Sequence, residues 1–196
     1  MLRLHPTLAI AAMLLDILDA EELFHVALSA MQQGRDGEAL TCLKQLLKLH
    51  PDHPEALHLL GAQYAQLRMF GRAEATWTSL LVSHPEHAAA RFQLGRLLLL
   101  KGDANAVANV LQPLAATTED LGYYAAAVIA ASQDNVGRTE RALVQGLACP
   151  QSNPAVTDDM RQWLQRLREQ AGTTSAPAAP HVQEPVPMLL SRYGQH

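Results

Sequence analysis

The chain has 196 residues, of which 48% are hydrophobic and only 5% aromatic. A chain of this length and apolar content can bury a core, which excludes disorder throughout, and its wealth of Ala and Leu favours helices over sheets. The formal net charge of -4 offers no basic field to the phosphates of nucleic acid, so we predict no nucleic-acid partner.

The N-terminal segment, residues 1–19, contains an uncharged apolar run from Thr7 to Leu15. Asp16 and Asp19 interrupt this run, and no small-x-small cleavage site follows it directly. We therefore predict an apolar helix in a cytoplasmic protein, with export through a cleaved signal as the alternative. No stretch reaches the roughly 18 uncharged apolar residues of a membrane-spanning helix, which predicts no membrane insertion.

The central part of the chain, residues 20–153, repeats with a period of 34 residues. A shift by one period superposes His50 on His84, Pro51 on Pro85, Gly61 on Gly95, Ala39 on Ala73 and Leu43 on Trp77, and a second shift brings Trp77 onto Leu111. Each period has two stretches with apolar residues three and four apart, which is helical spacing, and in the middle period Pro85 ends the second helix. We predict helical hairpins over residues 20–53, 54–87, 88–121 and 122–153, the last of them degenerate.

A small residue recurs in the first helix of the first three periods, at Ala27, Gly61 and Gly95. A small side chain lets two antiparallel helices approach closely. We predict that the bulky residue of the second helix, Trp77 in the middle period, fills the space next to it.

The C-terminal part begins with one amphipathic helix, predicted over residues 154–171, that caps the outer face of the last hairpin. Its predicted N-cap is Thr157, and the helix dipole accounts for Asp158 and Asp159. Residues 172–196 form a proline-rich linker that ends in an apolar cluster, made of Met188, Leu189, Leu190 and Tyr193. We predict that this cluster docks in an apolar groove of this chain or another molecule, with a disordered end as the alternative.

The recurring pattern resembles the tetratricopeptide repeat (TPR) family. The match is closest in residues 54–87, through Leu57, Gly61, Tyr64, Ala73, Trp77 and Pro85. Residues 20–53 match well, residues 88–121 depart from the pattern, and the remainder matches weakly. The resemblance implies an all-α, right-handed solenoid of three clear hairpins and one degenerate hairpin, which binds other proteins and is not an enzyme.

In the TPR family the first helix of each hairpin lines a concave groove, so the resemblance also implies which residues line it here. They are Glu21, Phe24, Leu28 and Met31 in the first hairpin, Glu55, His58 and Ala62 in the second, Phe92, Arg96 and Leu99 in the third, and Tyr123 in the fourth. Core packing already uses another face of the first helix, which is therefore apolar all round. Either the N-terminal segment or an apolar peptide or helix of a partner covers the second face.

Candidate chemistry is sparse. His50-Pro-Asp-His53 recurs as His84-Pro-Glu-His87, but a repeat-to-repeat turn explains these residues, and two histidines do not supply the three or four ligands of zinc. No phosphate loop, His pair with an interposed Glu, or serine nucleophile elbow occurs. We therefore predict no metal, no cofactor and no catalytic residue.

These observations predict a bacterial scaffold for protein–protein interaction, an adaptor, assembly factor or chaperone, with an apolar-centred groove. Two narrower alternatives stay open. The chain is similar in size and groove to small bacterial secretion chaperones, such as those of type III secretion, which bind a secreted client. Its repeats also resemble those found ahead of transferase domains, which would make it the recognition or regulatory subunit of a separate transferase. Self-association through the N-terminal segment is a further alternative.

Overall fold

The computed structural model describes residues 17–173, with side chains to residue 171. This range contains nine helices and no strand: α1 (Ala20–Gln32), α2 (Asp36–Leu49), α3 (Pro54–Gln66), α4 (Phe70–Ser83), α5 (Ala88–Leu100), α6 (Ala104–Ala115), α7 (Asp120–Ser132), α8 (Val136–Ala148) and α9 (Pro154–Thr173). The predicted all-α helical-repeat fold is confirmed. Residues 1–16 and the tail cluster of Met188, Leu189, Leu190 and Tyr193 lie outside the described residues, so the expectations for them stay predictions.

The helices fall into two compact units, with unit 1 ending at Pro85 and unit 2 beginning at Glu86. In unit 1, α1 pairs with α2 and α3 with α4, while α2 packs against α3. In unit 2, α5 pairs with α6 and α7 with α8, α7 also contacts α5 and α6, and α9 packs against α8. Each unit is thus built from antiparallel helical hairpins that pack on their neighbours in chain order.

The turn inside each hairpin passes through a residue in the left-handed conformation. These residues are Gly34 (φ 69°), Arg68 (φ 58°), Gly102 (φ 75°) and Asp134 (φ 54°). Glycine adopts this conformation without strain, whereas for a residue with a Cβ it costs about 1–2 kcal/mol. The first three turns stand one sequence period apart, so the repeat of the sequence is also a repeat of backbone conformation.

The recurring histidines cap helices. The Nδ1 atom of His53 accepts a hydrogen bond from the backbone N–H of Ala56 (3.3 Å), and Nδ1 of His87 accepts one from Ala90 (3.2 Å). Each bond satisfies one of the N–H groups left without a partner at the start of α3 or α5. The second histidine of the repeated His-Pro-x-His pattern therefore has a structural role.

The carboxylate of Asp103 caps α6 by accepting a hydrogen bond from the N–H of Ala106 (3.0 Å). We expect Asp103→Ala to lower the free energy of unfolding by about 1 kcal/mol, and Asp103→Ser to restore most of the loss. Glu119 precedes α7 in the same unit but makes no side-chain cap bond, so Glu119→Ala is the matched control. Denaturant unfolding, monitored by circular dichroism, measures the free energy of unfolding of each variant. Equal losses of stability in the two alanine variants would contradict the capping role of Asp103.

The N-cap of α9 differs from the prediction. The helix begins at Pro154, and the side-chain oxygen of Asn153 accepts hydrogen bonds from the N–H groups of Ala155 (2.9 Å) and Val156 (3.3 Å). Thr157 lies inside the first turn, where its hydroxyl donates to the carbonyl of Asn153 (2.9 Å). The predicted N-cap was wrong because a proline fits the first turn of a helix and moves the cap to the residue before it.

The predicted close contact between the helices of a hairpin is confirmed. A Cβ placed on Gly61 would lie 2.4 Å from Nε1 of Trp77, and one on Gly95 would lie 2.4 Å from Cγ of Leu111. Trp77 is fully buried, and its Nε1 donates to the carbonyl of His58 (3.2 Å). Glycine is required at these two positions because the partner side chain occupies the volume of a methyl group.

Candidate functional site

Helix α1 carries two neighbouring apolar stripes. Leu23, Ala27 and Ala30 are fully buried and form its core stripe. Phe24, Leu28 and Met31 recur at spacings of four and three beside that stripe, and each is half-buried. The helix therefore presents a partly open apolar surface in addition to the one that it packs against its own hairpin.

A capping box fixes the start of α1. The N–H of Glu22 donates to the carboxylate of Asp19 (2.9 Å), and the N–H of Asp19 donates to the carboxylate of Glu22 (3.0 Å). This reciprocal pair sets the register of the helix, and with it the direction in which Phe24 and Leu28 point.

His53 belongs to the same surface. Its ring stacks on the ring of Phe24, with centroids 5.7 Å apart and planes at 21°, and its Nδ1 lies 3.4 Å from a carboxylate oxygen of Glu55. Sequence reasoning placed His53 only in a turn. Its position directly before Pro54, the first residue of α3, marks it as a cap in the sequence, but the stack depends on how the two hairpins pack.

We define the α1 face as Glu21, Phe24, Leu28 and Met31 of α1 together with His53 and Glu55 at the start of α3. Glu21 and Glu55 are exposed, as expected for residues that line an open surface. The contacts of His53 with Phe24 and with Glu55 bring the start of α3 next to α1, where the other predicted liners Glu21, Leu28 and Met31 lie. Their role in binding a partner stays a prediction.

Two other predicted groove residues of unit 1, His58 and Ala62, do not line an open surface. Both are buried, and the imidazole of His58 lies against Trp77 with ring centroids 6.5 Å apart. Helix α3 packs against α2 as well as α4. Two neighbouring helices therefore cover more of its surface than the single apolar stripe in its sequence predicts. The prediction that these two side chains are open is therefore corrected.

In unit 2 the predicted groove residues Phe92 and Arg96 are also buried, at 1% and 4% exposure. The guanidinium of Arg96 lies 5.8 Å from the centroid of the Phe92 ring and forms an ion pair with Asp159 of α9, which is itself 1% exposed. Helix α9 therefore supplies a charged partner to α5, and this part of the predicted groove is closed by the chain itself. Leu99 and Tyr123, the other predicted liners of unit 2, are half-buried.

The Arg96–Asp159 pair is held in a low-dielectric environment. Burial raises the pKa of Asp159, while the neighbouring charge of Arg96 acts to lower it. Burial likewise lowers the pKa of Arg96, and the charge of Asp159 opposes that change. Arg166 adds a second positive charge near both groups. Desolvation is the largest cause in each case, so the charged form of each group is stable in the interior only because the other charge is next to it.

The assignment of Asp159 to the helix dipole was therefore wrong.

The described residues provide little for other chemistry. No three His, Cys, Asp or Glu side chains between residues 17 and 171 are grouped so that they could hold a metal ion. No helix in the described part of the chain is both long enough and apolar enough to cross a membrane.

Comparison with known proteins identifies the repeats. A family model described as TPR repeat matches residues 29–67, and one described as tetratricopeptide repeat matches residues 62–106. Among solved structures, TTC0263, a thermophilic TPR protein of Thermus thermophilus, aligns with a TM-score of 0.65 and 20% identity over 80% of this chain and 85% of that one. MamA (41-end) of Desulfovibrio magneticus RS-1 aligns with a TM-score of 0.57 and 19% identity over 80% of this chain and 93% of that one. At these identities the likeness shows the fold alone. No curated protein matches the sequence.

Proposed function

We propose that this chain, which is a tetratricopeptide-repeat protein and so a scaffold for protein–protein interaction, binds a peptide or helix of a partner protein on its α1 face. The TPR fold is in general a non-catalytic scaffold, and the proposal assigns no catalytic residue. The observation that supports this binding role is the second apolar stripe of α1. Phe24, Leu28 and Met31 are half-buried although the core stripe of the helix is already complete.

The physical basis of the affinity is burial of this stripe. Covering apolar surface is worth about 25 cal/mol per Å² before the costs of ordering the partner are subtracted. Apolar side chains that recur every three or four residues fit the complementary stripe of an amphipathic helix or the alternate side chains of an extended peptide. Unit 2 contributes less open surface, because Phe92 and Arg96 are covered within the chain.

We expect Leu28→Asp to weaken partner binding at least about tenfold, since it places a carboxylate among the apolar side chains that the partner would bury. Val82→Asp is the control, because Val82 lies on α4 in the same unit and is 80% exposed. A photo-crosslinking residue at position 28 or 82 in the native host identifies the partner, and calorimetry then measures its affinity for both variants. Loss of helical circular dichroism in the Leu28→Asp variant alone would show that Leu28 is core and would overturn the proposal.

The narrower functions differ in the protein that is captured. A secreted client at position 28 would support the secretion chaperone, a transferase would support the recognition subunit, and a second copy of the chain would support self-association. The proposed partner is a protein rather than a nucleic acid, because a chain with a net charge of -4 has no excess of positive charge to attract phosphates. A cytoplasmic location is part of the same proposal, and cell fractionation tests it.

A further inference from the structure

We infer that the α1 face selects a partner segment that is basic as well as apolar, namely an amphipathic segment with Lys or Arg next to its apolar anchors. The inference rests on the proposed function, because it concerns the chemistry of the partner at the same face. It is supported by the uneven distribution of charge in unit 1, where α1 and α3 contain carboxylates and the basic residues lie elsewhere.

The two first helices of unit 1, α1 and α3, contain the carboxylates of Glu21, Glu22 and Glu55 and no Lys or Arg. The side chains of Glu21 and Glu55, both on the α1 face, are 86% and 60% exposed. Among the described residues, Phe24 makes ring contacts with the imidazoles of His25 and His53, which add positive charge only when they are protonated. The apolar stripe is therefore bordered by negative charge.

The basic side chains that the structure describes in unit 1 all lie outside α1 and α3: they are Arg35, Lys44, Lys48, Arg68 and Arg72. Those of Lys44 and Arg72, on the second helices α2 and α4, lie 5.9 Å and 5.7 Å from the centroid of the Tyr64 ring. Tyr64 is near the end of α3, nine residues and so about 14 Å along the helix from Glu55. Lys44 and Arg72 therefore lie by the end of α3 opposite Glu55, and Glu55 is at the end where the basic residue of the ligand is proposed to bind.

A Glu in the first helical turn is also what the helix dipole favours, so its presence alone would not indicate a ligand. The order of the residues along α1 also gives the face a polarity, with a charged end and an apolar end. Glu21, Phe24, Leu28 and Met31 follow one another along a single face of α1, with the carboxylate at one end of the apolar residues. The stripe is about 15 Å long, which matches some ten residues of a helical ligand. A fitting ligand thus has apolar anchors over two to three turns and a basic residue at the end that meets Glu21 and Glu55.

The test uses the full chain and a displayed library of 16-residue amphipathic peptides, with fixed apolar positions and flanking positions that vary among Lys, Gln and Glu. Clones are selected on the wild-type protein, and the Leu28→Asp variant defines the background. We expect enrichment of Lys at the flanking positions. Exchange of those Lys for Glu in the best clone should weaken its Kd at least about tenfold, since like charges oppose each other across the contact.

The double variant Glu21→Gln/Glu55→Gln should remove most of this difference between the peptides. Its control is Glu38→Gln/Glu74→Gln, which removes the same net charge from α2 and α4 in the same unit. The preference for Lys should also shrink between about 0.05 and 0.5 M salt, over which the screening length falls from roughly 14 to 4 Å.

The outcomes separate the two proposals. Equal enrichment of Lys and Glu, with binding lost in Leu28→Asp, overturns the charge selection and leaves the α1 face as a binding site. A Lys preference that survives Glu21→Gln/Glu55→Gln also overturns it. The absence of any clone above the Leu28→Asp background would show that the chain itself covers the face, and both proposals would then fail.

Discussion

Replacement of Asp159 by Asn is expected to lower the free energy of unfolding by about 3–5 kcal/mol, because it leaves the guanidinium of Arg96 buried without its counter-charge. Arg96 and Asp159 are 4% and 1% exposed, and each is the ion-pair partner of the other. The second cation, Arg166, aggravates the loss, since without Asp159 two like charges remain close to each other.

Asp158 provides the matched control. It lies one residue earlier on α9, and its pair with Arg161 is exposed, so Asp158→Asn should change the free energy of unfolding by less than about 0.5 kcal/mol. The double variant Arg96→Met/Asp159→Leu should return most of the lost stability, because it removes both buried charges and keeps similar volumes. Denaturant unfolding of the wild type and these three variants measures the differences in the free energy of unfolding. Equal effects of Asp158→Asn and Asp159→Asn would contradict the buried pair.

Gly61→Ala is expected to destabilise the chain by about 1–3 kcal/mol. The added Cβ would lie 2.4 Å from Nε1 and 2.7 Å from Cδ1 of Trp77, a fully buried ring that cannot move away freely. Any shift of the ring also strains its hydrogen bond to the carbonyl of His58 (3.2 Å). The hairpin of α3 and α4 must therefore open or distort.

Gly71→Ala is the control for Gly61→Ala. Gly71 lies in α4 with nothing within 4 Å of its added Cβ, so alanine should be neutral or slightly stabilising there. Combining Gly61→Ala with Trp77→Leu recreates the Ala27 and Leu43 of the first period and should recover part of the loss. Thermal and denaturant unfolding report the differences. A wild-type stability for Gly61→Ala would show that the helices approach less closely than the structure indicates.

The sequence by itself determined the all-α repeat fold and its closest contacts. Helical hairpins join neighbours in the chain, so the spacing of small, bulky and proline residues within one period encodes both the turn and the helix-to-helix contact. The contact between Gly61 and Trp77 could therefore be predicted from the sequence. Their positions repeat one period later as Gly95 and Leu111, and each contact forms between consecutive helices.

The tertiary structure alone decided which predicted groove residues stay open. A periodic pattern shows which face of a helix is apolar, but it does not show what a more distant helix places on that face. Phe92 and Arg96 fit the pattern of an open surface, yet Arg96 meets Asp159 of α9, four helices later in the chain. The stack of His53 on Phe24 likewise joins two hairpins. Such contacts depend on the packing angle between hairpins, which no spacing within a single period records.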